Sequence, residues 1–322
     1  MQTNNILSII IVNYNTYDLI VNCIQSILAE TNVVRLEIIV VDNNSADRRI
    51  EGITQLSSQV QLIQLEENLG FGKANNLGMS LAKGDYFLLL NSDTIIIDQV
   101  IDESVKWLIN NSQYEVLGVD QINEHQESIV GLENYTKTFS ILAYFYDSPL
   151  LTIFRRKKDK DCILQKPMEV NQLSGAFMLL KREVFEDTKG FDPDFFMYYE
   201  ETEWCQRIRK TYKIAYHPEL KFIHLHGKSA SREVMTKQMH LSAGLFWYKR
   251  GFFQYVMYLL ISYLIYMPTW IVLSLTSHSR RIHFKKYISI YSVLLNYFIF
   301  DIPRFSKKYE GRDEVLKLKE LK

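Results

Sequence analysis

A five-residue apolar run, Tyr86–Leu90, stopped by Asn91, Ser92 and Asp93, is the feature that most constrains this chain. Apolar on both faces and edged by Lys83-Gly84-Asp85, it reads as a buried strand of a parallel sheet. Ligands of open α/β sheets bind outside the carboxyl ends of the strands. Asp93 therefore stands where a carboxylate meets a divalent cation and a phosphorylated ligand, since Mg²⁺ and Mn²⁺ take hard oxygen ligands. A strand running into an ordinary turn has the same local pattern, so the neighbouring segments must decide.

Those segments repeat the pattern. Leu7–Val12 ends at Asn13-Tyr14-Asn15-Thr16, and Leu36–Val41 ends at Asp42-Asn43-Asn44-Ser45. Val60–Leu65 leads into Asn68-Leu69-Gly70-Phe71-Gly72. Between them lie a helix capped by Asp18, with Leu19, Ile20, Ile24, Ile27 and Leu28 on its apolar side, and a second helix over about 73–83. This alternation predicts βαβ units, a mostly parallel central sheet with helices on both faces, and all polar clusters on one edge.

Composition narrows the function. Lys+Arg and Asp+Glu are equal at 37 each, so no global field calls for nucleic acid. Cys23, Cys162 and Cys205 are scattered without CxxC spacing, which fits a reducing compartment and gives no zinc site. The N-terminus shows neither a basic n-region nor a small-residue cleavage site, so no signal peptide is expected.

LSIIIVNYNT, IIVVDNNSAD, ENLGFGKANNLG, YFLLLNSDT, the long stretch from Leu173 to Lys210 and FIHLHGKS occur in this order over about three quarters of the chain. The ordered set resembles the family 2 glycosyltransferases, and within them the rhamnosyltransferase-like bacterial enzymes of O-antigen and polysaccharide synthesis. The resemblance implies a GT-A fold, with 1–120 as nucleotide-sugar half and 121–250 as acceptor and catalytic half. It further implies an activated nucleotide sugar as donor and a divalent metal, Mn²⁺ or Mg²⁺, as cofactor.

Carried onto this sequence, Asn13, Tyr14 and Asn15 offer a ring to lie along a base or ribose and amides for its polar edge; an Asn-rich turn accounts for them equally. Asp42 accepts from a nucleobase N–H or ribose hydroxyl, while Asn44 and its neighbours either join it or cap the next helix. Gly70 permits close backbone approach, and Lys73 lies near the diphosphate or is merely solvated. Asn91-Ser92-Asp93 occupies the place of the family's metal-binding motif, leaving Asp93 as its one carboxylate. Gly175 falls in the donor and acceptor wall. The Phe195–Tyr199 aromatic run packs on sugar faces or forms core.

The family's Glu-Asp-x-Asp pattern has Glu at both Asp positions here, so Glu201 matches the general base and Glu203 is a second candidate acid. An acidic first helical turn complementing the dipole is the plainer account. Counting back from Ser229, His224 matches the family's metal-binding His, with His226 in reserve. A sugar nucleotidyltransferase would carry a glycine-rich triphosphate loop near the N-terminus, and a processive synthase a Gln-x-x-Arg-Trp motif; neither occurs.

Arg155-Arg156-Lys157-Lys158 is a basic run that suits anionic head groups or a lipid-diphosphate acceptor. The region 251–322 differs in kind. Phe252–Thr276 has no charged residue and is interrupted by Pro268, with Lys249 and Arg250 before it and Arg280, Arg281, Lys285 and Lys286 after. Tyr287–Phe300 is a second apolar segment. Two crossings would leave the 280–286 cluster outside, against the positive-inside tendency. The expectation is a kinked helix or hairpin lying in the membrane interface, with a charged tail from Lys307. The chain is thus expected at the cytoplasmic face of the cell membrane, peripheral or monotopic, acting on a lipid-linked glycan. A catalytically inactive nucleotide-sugar-binding scaffold is the alternative.

Overall fold

The computed structural model describes residues 6–32, 35–129, 135–136, 139–148, 150–151, 166–225 and 232–275. The strands are β1 (Ile6–Asn13), β2 (Arg35–Asp42), β3 (Val60–Gln64), β4 (Tyr86–Asn91), β5 (Thr94–Ile95), β6 (Val116–Ile122), β7 (Met168–Glu169), β8 (Phe177–Lys181) and β9 (Ile214–His224). The α-helices are α1 (Tyr17–Glu30), α2 (Phe71–Leu81), α3 (Val100–Asn110), α4 (Ile141–Tyr146), α5 (Arg182–Thr188), α6 (Glu200–Ile208), α7 (Arg232–Lys249), α8 (Phe252–Ile261) and α9 (Met267–Leu275).

One sheet runs β3-β2-β1-β4-β8-β6-β9-β5, with β7 beside β9. Its first four strands are mutually parallel; β8 is antiparallel to both β4 and β6, so the sheet becomes mixed beyond β4. Alternation along each strand divides the core in two. Ile9, Ile11, Val40, Leu88 and Leu90 face α1 and α3 through Ile24, Ile27, Val105 and Leu108. Ile10, Ile39, Val41, Phe87 and Leu89 face α2, α5 and α6 through Ala74, Met79, Val184 and Trp204. The α/β architecture with helices on both faces is the one read from the sequence.

Local starts differ from expectation for identifiable reasons. Thr16, not Asp18, precedes the first turn of α1, and its hydroxyl bonds Asn13 Oδ1 at 2.7 Å rather than capping the helix. Asp18 instead meets Arg49 at 3.0 Å in an exposed ion pair. The helix expected over 73–83 begins at Phe71, because Gly70 at φ 84° breaks the chain sharply there. The β2–β3 connection is a 3₁₀ helix, Arg48–Leu56, capped by the Asp47 side chain on Arg49 N.

The chain divides into two compact units: Met1–Lys137, Ile163–Pro193 and Glu200–Ser229 form the first, and Thr138–Cys162, Asp194–Tyr199 and Ala230–Lys322 the second. The last change from the first unit to the second falls between Ser229 and Ala230, before α7. The core of the second unit is aromatic, with Phe195, Phe196, Phe246, Trp247, Tyr255 and Tyr258 buried together. Phe195 and Phe196 therefore serve as core. Ser242 Oγ donates to Met197 O at 2.6 Å, and Tyr198 and Tyr199 both take left-handed backbone, φ 69° and 67°.

In that unit α8 and α9 are joined by a π-helical turn, Ser262–Tyr266. Pro268 has no N–H and its ring crowds the carbonyl four residues back, Leu264; the widened turn just before it relieves that clash. Among the described residues one stretch, Phe252–Thr269, is long and apolar enough to cross a membrane by length and composition. The segments 155–158 and 276–322 lie outside the described residues.

Candidate functional site

Register carries the polar clusters to one edge. Asn13 lies opposite Asp42, and Val12 opposite Asn91, so the ends of β2, β1 and β4 are level. Strand order reverses between β1 and β4, the point where open α/β sheets form their ligand crevice. Thr16 Oγ1 and Ser92 Oγ, 2.9 Å apart, bridge that point.

The β1 and β2 ends form a closed network. Asp42 Oδ1 accepts from Asn13 Nδ2 at 2.8 Å and Ser45 Oγ at 2.6 Å, while its Oδ2 accepts from Ser45 N at 3.0 Å. Asn13 and Asp42 are 0% and 2% exposed. Their visible work is to fix the loops. Asn15 Oδ1 accepts from Ala46 N at 2.8 Å, and Asn15 and Asn44 both take left-handed backbone, φ 56° and 63°. Tyr14 is partly exposed and Asn44 exposed at this edge. Asn43, expected with its neighbours to join Asp42 or cap the next helix, holds the next loop instead: its Nδ2 donates to Gly70 O at 3.0 Å and its Oδ1 accepts from Leu69 N at 2.9 Å. Gly70 is thereby anchored to the β2 end, one turn ahead of a half-buried Lys73.

Asp93 and His224 come together through β5 and β9. Thr94 pairs with His224, and Leu225 N donates to Asp93 O at 2.9 Å. His224 Nε2 lies 3.0 Å from Asp93 Oδ1 and 3.4 Å from Asn91 Nδ2. Its Nδ1 lies 3.0 Å from Gln121 Oε1, an atom that can only accept, so Nδ1 carries the proton in this bond. Gln121 Nε2 donates in turn to the Tyr135 hydroxyl at 3.2 Å. Sequence reading missed Gln121, which looks like any buried strand residue until β6 is set beside β9.

This donor set fits a divalent cation. With Nδ1–H held by Gln121, the Nε2 lone pair faces a carboxylate oxygen, and two acceptors at that separation favour a proton or cation between them. No group of three His, Cys, Asp or Glu side chains suited to a metal occurs among the described residues. Asp93 and His224 would therefore be two protein ligands, with phosphate and water completing the shell, as is common for Mg²⁺ and Mn²⁺. His226 lies outside the described residues.

Glu201 sits on the first turn of α6. Its Oε1 lies 3.4 Å from Gly175 N, and the next residue, Ala176, accepts from Asn91 N at 3.2 Å. The carboxylate is thus tied to the strand edge that bears Asp93. A Cβ on Gly175 would stand 2.9 Å from the Phe71 ring and 3.0 Å from Glu201 Oε1, so this glycine is what lets both close in. Burial pushes the Glu201 carboxyl above its ordinary value, against the lowering effect of its backbone hydrogen bonds. Glu203 points elsewhere. It grips Arg207 Nε at 2.7 Å, and Arg207 also donates to the carbonyls of Thr188 and Gly190. Two carboxylates two residues apart have opposite tasks: one is held toward the β4 edge and the other secures a loop.

The glycosyl transferase family 2 model matches residues 8–189, more than half of the chain. An uncharacterized glycosyltransferase of Haemophilus influenzae is 26% identical over 72% of this chain and 69% of its own length. Rhamnosyltransferase WbbL of Escherichia coli is 25% identical over 77% of this chain and 91% of its own. Among solved structures, the mannosyltransferase PcManGT of Pyrobaculum calidifontis, in complex with GDP-Man and Mn²⁺, superimposes with a TM-score of 0.52 at 15% identity. That likeness covers 95% of this chain and 79% of the other.

Proposed function

Because the chain belongs to glycosyl transferase family 2, we propose that it transfers a sugar, with inversion, from a dTDP- or UDP-sugar to a hydroxyl of a lipid-linked glycan in cell-surface polysaccharide synthesis. Rhamnose is the favoured sugar, a preference supported by the likeness to WbbL. The observation that carries the reading is the joining of two chemistries at one strand edge. The Asp93–His224 pair lies on one side, and Glu201, tethered through Gly175 and Ala176 to Asn91, on the other.

In this reading Glu201 takes the proton of the acceptor hydroxyl as its oxygen attacks the anomeric carbon. The bond from that carbon to the diphosphate oxygen breaks, and the nucleoside diphosphate leaves with the electron pair. A carboxylate whose proton affinity is raised by burial is a stronger base once deprotonated, which suits the role. A divalent cation, when bound by Asp93 and His224, supplies neutralisation of the charge gathering on the leaving diphosphate. The Mn²⁺ in PcManGT, a protein of the same fold, supports the assignment. Tyr14 and Asn44 offer surface to the nucleoside, while Asn13 and Asp42 hold the loops that carry it.

The exposed apolar residues of α8 and the turn after it, Phe252, Phe253 and Leu264, support attachment to the membrane that carries the acceptor. The experiment is a transfer assay of the full chain against a panel of nucleotide sugars, with and without Mn²⁺, followed by NMR of the product anomer. Turnover of a dTDP- or UDP-hexose with inversion supports the reading. Donor binding without turnover on any acceptor would replace it by the scaffold alternative, which the double replacement of Asp by Glu at 201 and 203 keeps in play.

A further inference from the structure

The segment after Ser140 has a composition that water should reject. α4 reads Ile-Leu-Ala-Tyr-Phe-Tyr, without a charged residue, and none of its residues is buried. A helix apolar all round belongs in a core or in lipid. One side of α4 is accounted for. Tyr144 stacks on Tyr266 with ring centroids 4.8 Å apart, and lies 5.1 Å from the Tyr258 ring. Its hydroxyl is 2.9 Å from Ser262 Oγ, and its carbonyl accepts from the Tyr266 hydroxyl at 2.9 Å. These bonds fix α4 alongside α8 and the π-helical turn.

The other side is exposed. Leu142 and Tyr146, four residues apart and so on one helical face, are 66% and 55% exposed; Leu150, past the end of the helix, is 44% exposed. α8 and its continuation expose Phe253 and Leu264 at 72% and 69%. Two elements bonded to one another thus both turn bulky apolar side chains outward. The sequence adds charge on either side: Arg155-Arg156-Lys157-Lys158, outside the described residues, come nine to twelve positions after the end of α4, and Arg250 precedes α8, next to a Lys249 that pairs with Asp194. Apolar segments flanked in sequence by basic residues are the composition that anionic bilayers hold at their interface.

We infer that α4 is a second lipid-inserting element, which docks with α8 into an anionic phospholipid surface through Leu142 and Tyr146, with Leu150 just beyond it. The inference rests on the membrane attachment proposed above and extends it to a part of the chain that the C-terminal segment does not include. It makes the surface two-footed, so α8 alone gives weaker and less oriented binding.

Flotation of the full chain with vesicles of phosphatidylglycerol and phosphatidylcholine tests it, using L142E/Y146E, F253E/L264E and the unaltered chain. Loss of vesicle binding by about tenfold or more in L142E/Y146E, with unaltered thermal unfolding, is the expected result. A separate readout uses Tyr146→Trp, whose emission should shift to the blue on vesicles and be quenched by brominated lipid. If the unaltered chain fails to float, the attachment itself falls. If it floats and L142E/Y146E floats equally well without quenching at position 146, the attachment stands and the role of α4 is overturned. A change in oligomeric state in L142E/Y146E, with vesicle binding intact, would assign the face to a second copy and overturn it too.

Discussion

Gln121 and His224 face one another across the paired strands β6 and β9, the glutamine amide oxygen 3.0 Å from Nδ1 of the imidazole. The bond fixes which nitrogen holds the proton and leaves Nε2 toward Asp93. Gln121→Leu should therefore weaken Mn²⁺ binding by about 10- to 100-fold, the usual cost of losing such a supporting partner. Gln121→Glu, which keeps an acceptor in place, should restore most of it. Titration of the free Mn²⁺ EPR signal, with no donor present, reads this directly; equal affinities in all three proteins would refute it.

Asp93→Asn keeps the shape of the side chain and removes its charge. It should abolish metal-dependent binding of a nucleoside diphosphate while leaving the unfolding temperature nearly unchanged, since Asp93 is partly exposed at the strand edge. Calorimetric titration with UDP or dTDP, with Mn²⁺ and then with excess chelator, checks it. Full transfer activity of the unaltered chain in chelator would remove the metal from the mechanism.

Glu201→Gln should retain donor binding and cut transfer by about 10²- to 10⁴-fold, the span expected of a positioned general base. In the unaltered chain, kcat/KM should fall on the acid side at a pH above the ordinary glutamate range, because burial raises this carboxyl. The same shift has a stability consequence. A folded-state value above the unfolded one gives stabilisation that is full below the unfolded value and is lost as pH rises through the folded one. Relative to the unaltered chain, Glu201→Gln should gain stability as pH rises through that window. Denaturant midpoints at several pH values show the sign.

Glu203→Gln should do the reverse. It breaks a half-buried pair with Arg207 and loosens the carbonyl clamp on Thr188 and Gly190, at a cost of about 1–3 kcal/mol. Transfer at saturating donor should change much less than in Glu201→Gln. A stable, inactive variant would overturn this division of labour.

Strands β1 to β4 were legible because each is an apolar run closed by small polar residues, and period and punctuation both lie within a few residues. The pairing of Asp93 with His224 was legible only through resemblance, since 131 positions separate them and β5 is two residues long. Gln121 was not legible at all: its partner comes from β9, and a parallel neighbour 103 positions away leaves no local mark. Asn13 and Asp42 show the opposite difficulty. Their places at the ends of β1 and β2 were legible, yet a sequence cannot say that the two side chains bond each other. The aromatic run at 195–199 fitted a sugar wall as well as it fitted core, and only packing against Phe246 separates the two.

The interleaving of the two units has a consequence for how such a chain can be altered. The polypeptide passes between them five times, and the six residues Asp194–Tyr199 belong to the second unit while α6 begins at the very next position. Trp247 and Tyr248 on α7 pack on Tyr258 and Tyr255 of α8. A stop placed at residue 249 would thus cut through an aromatic core and leave an adhesive stump, not a trimmed and more tractable enzyme. Neither unit can be lifted out as a cassette. Exchange of the second unit with a relative's would have to carry three separate stretches of gene together, or proceed by point changes on a fixed frame.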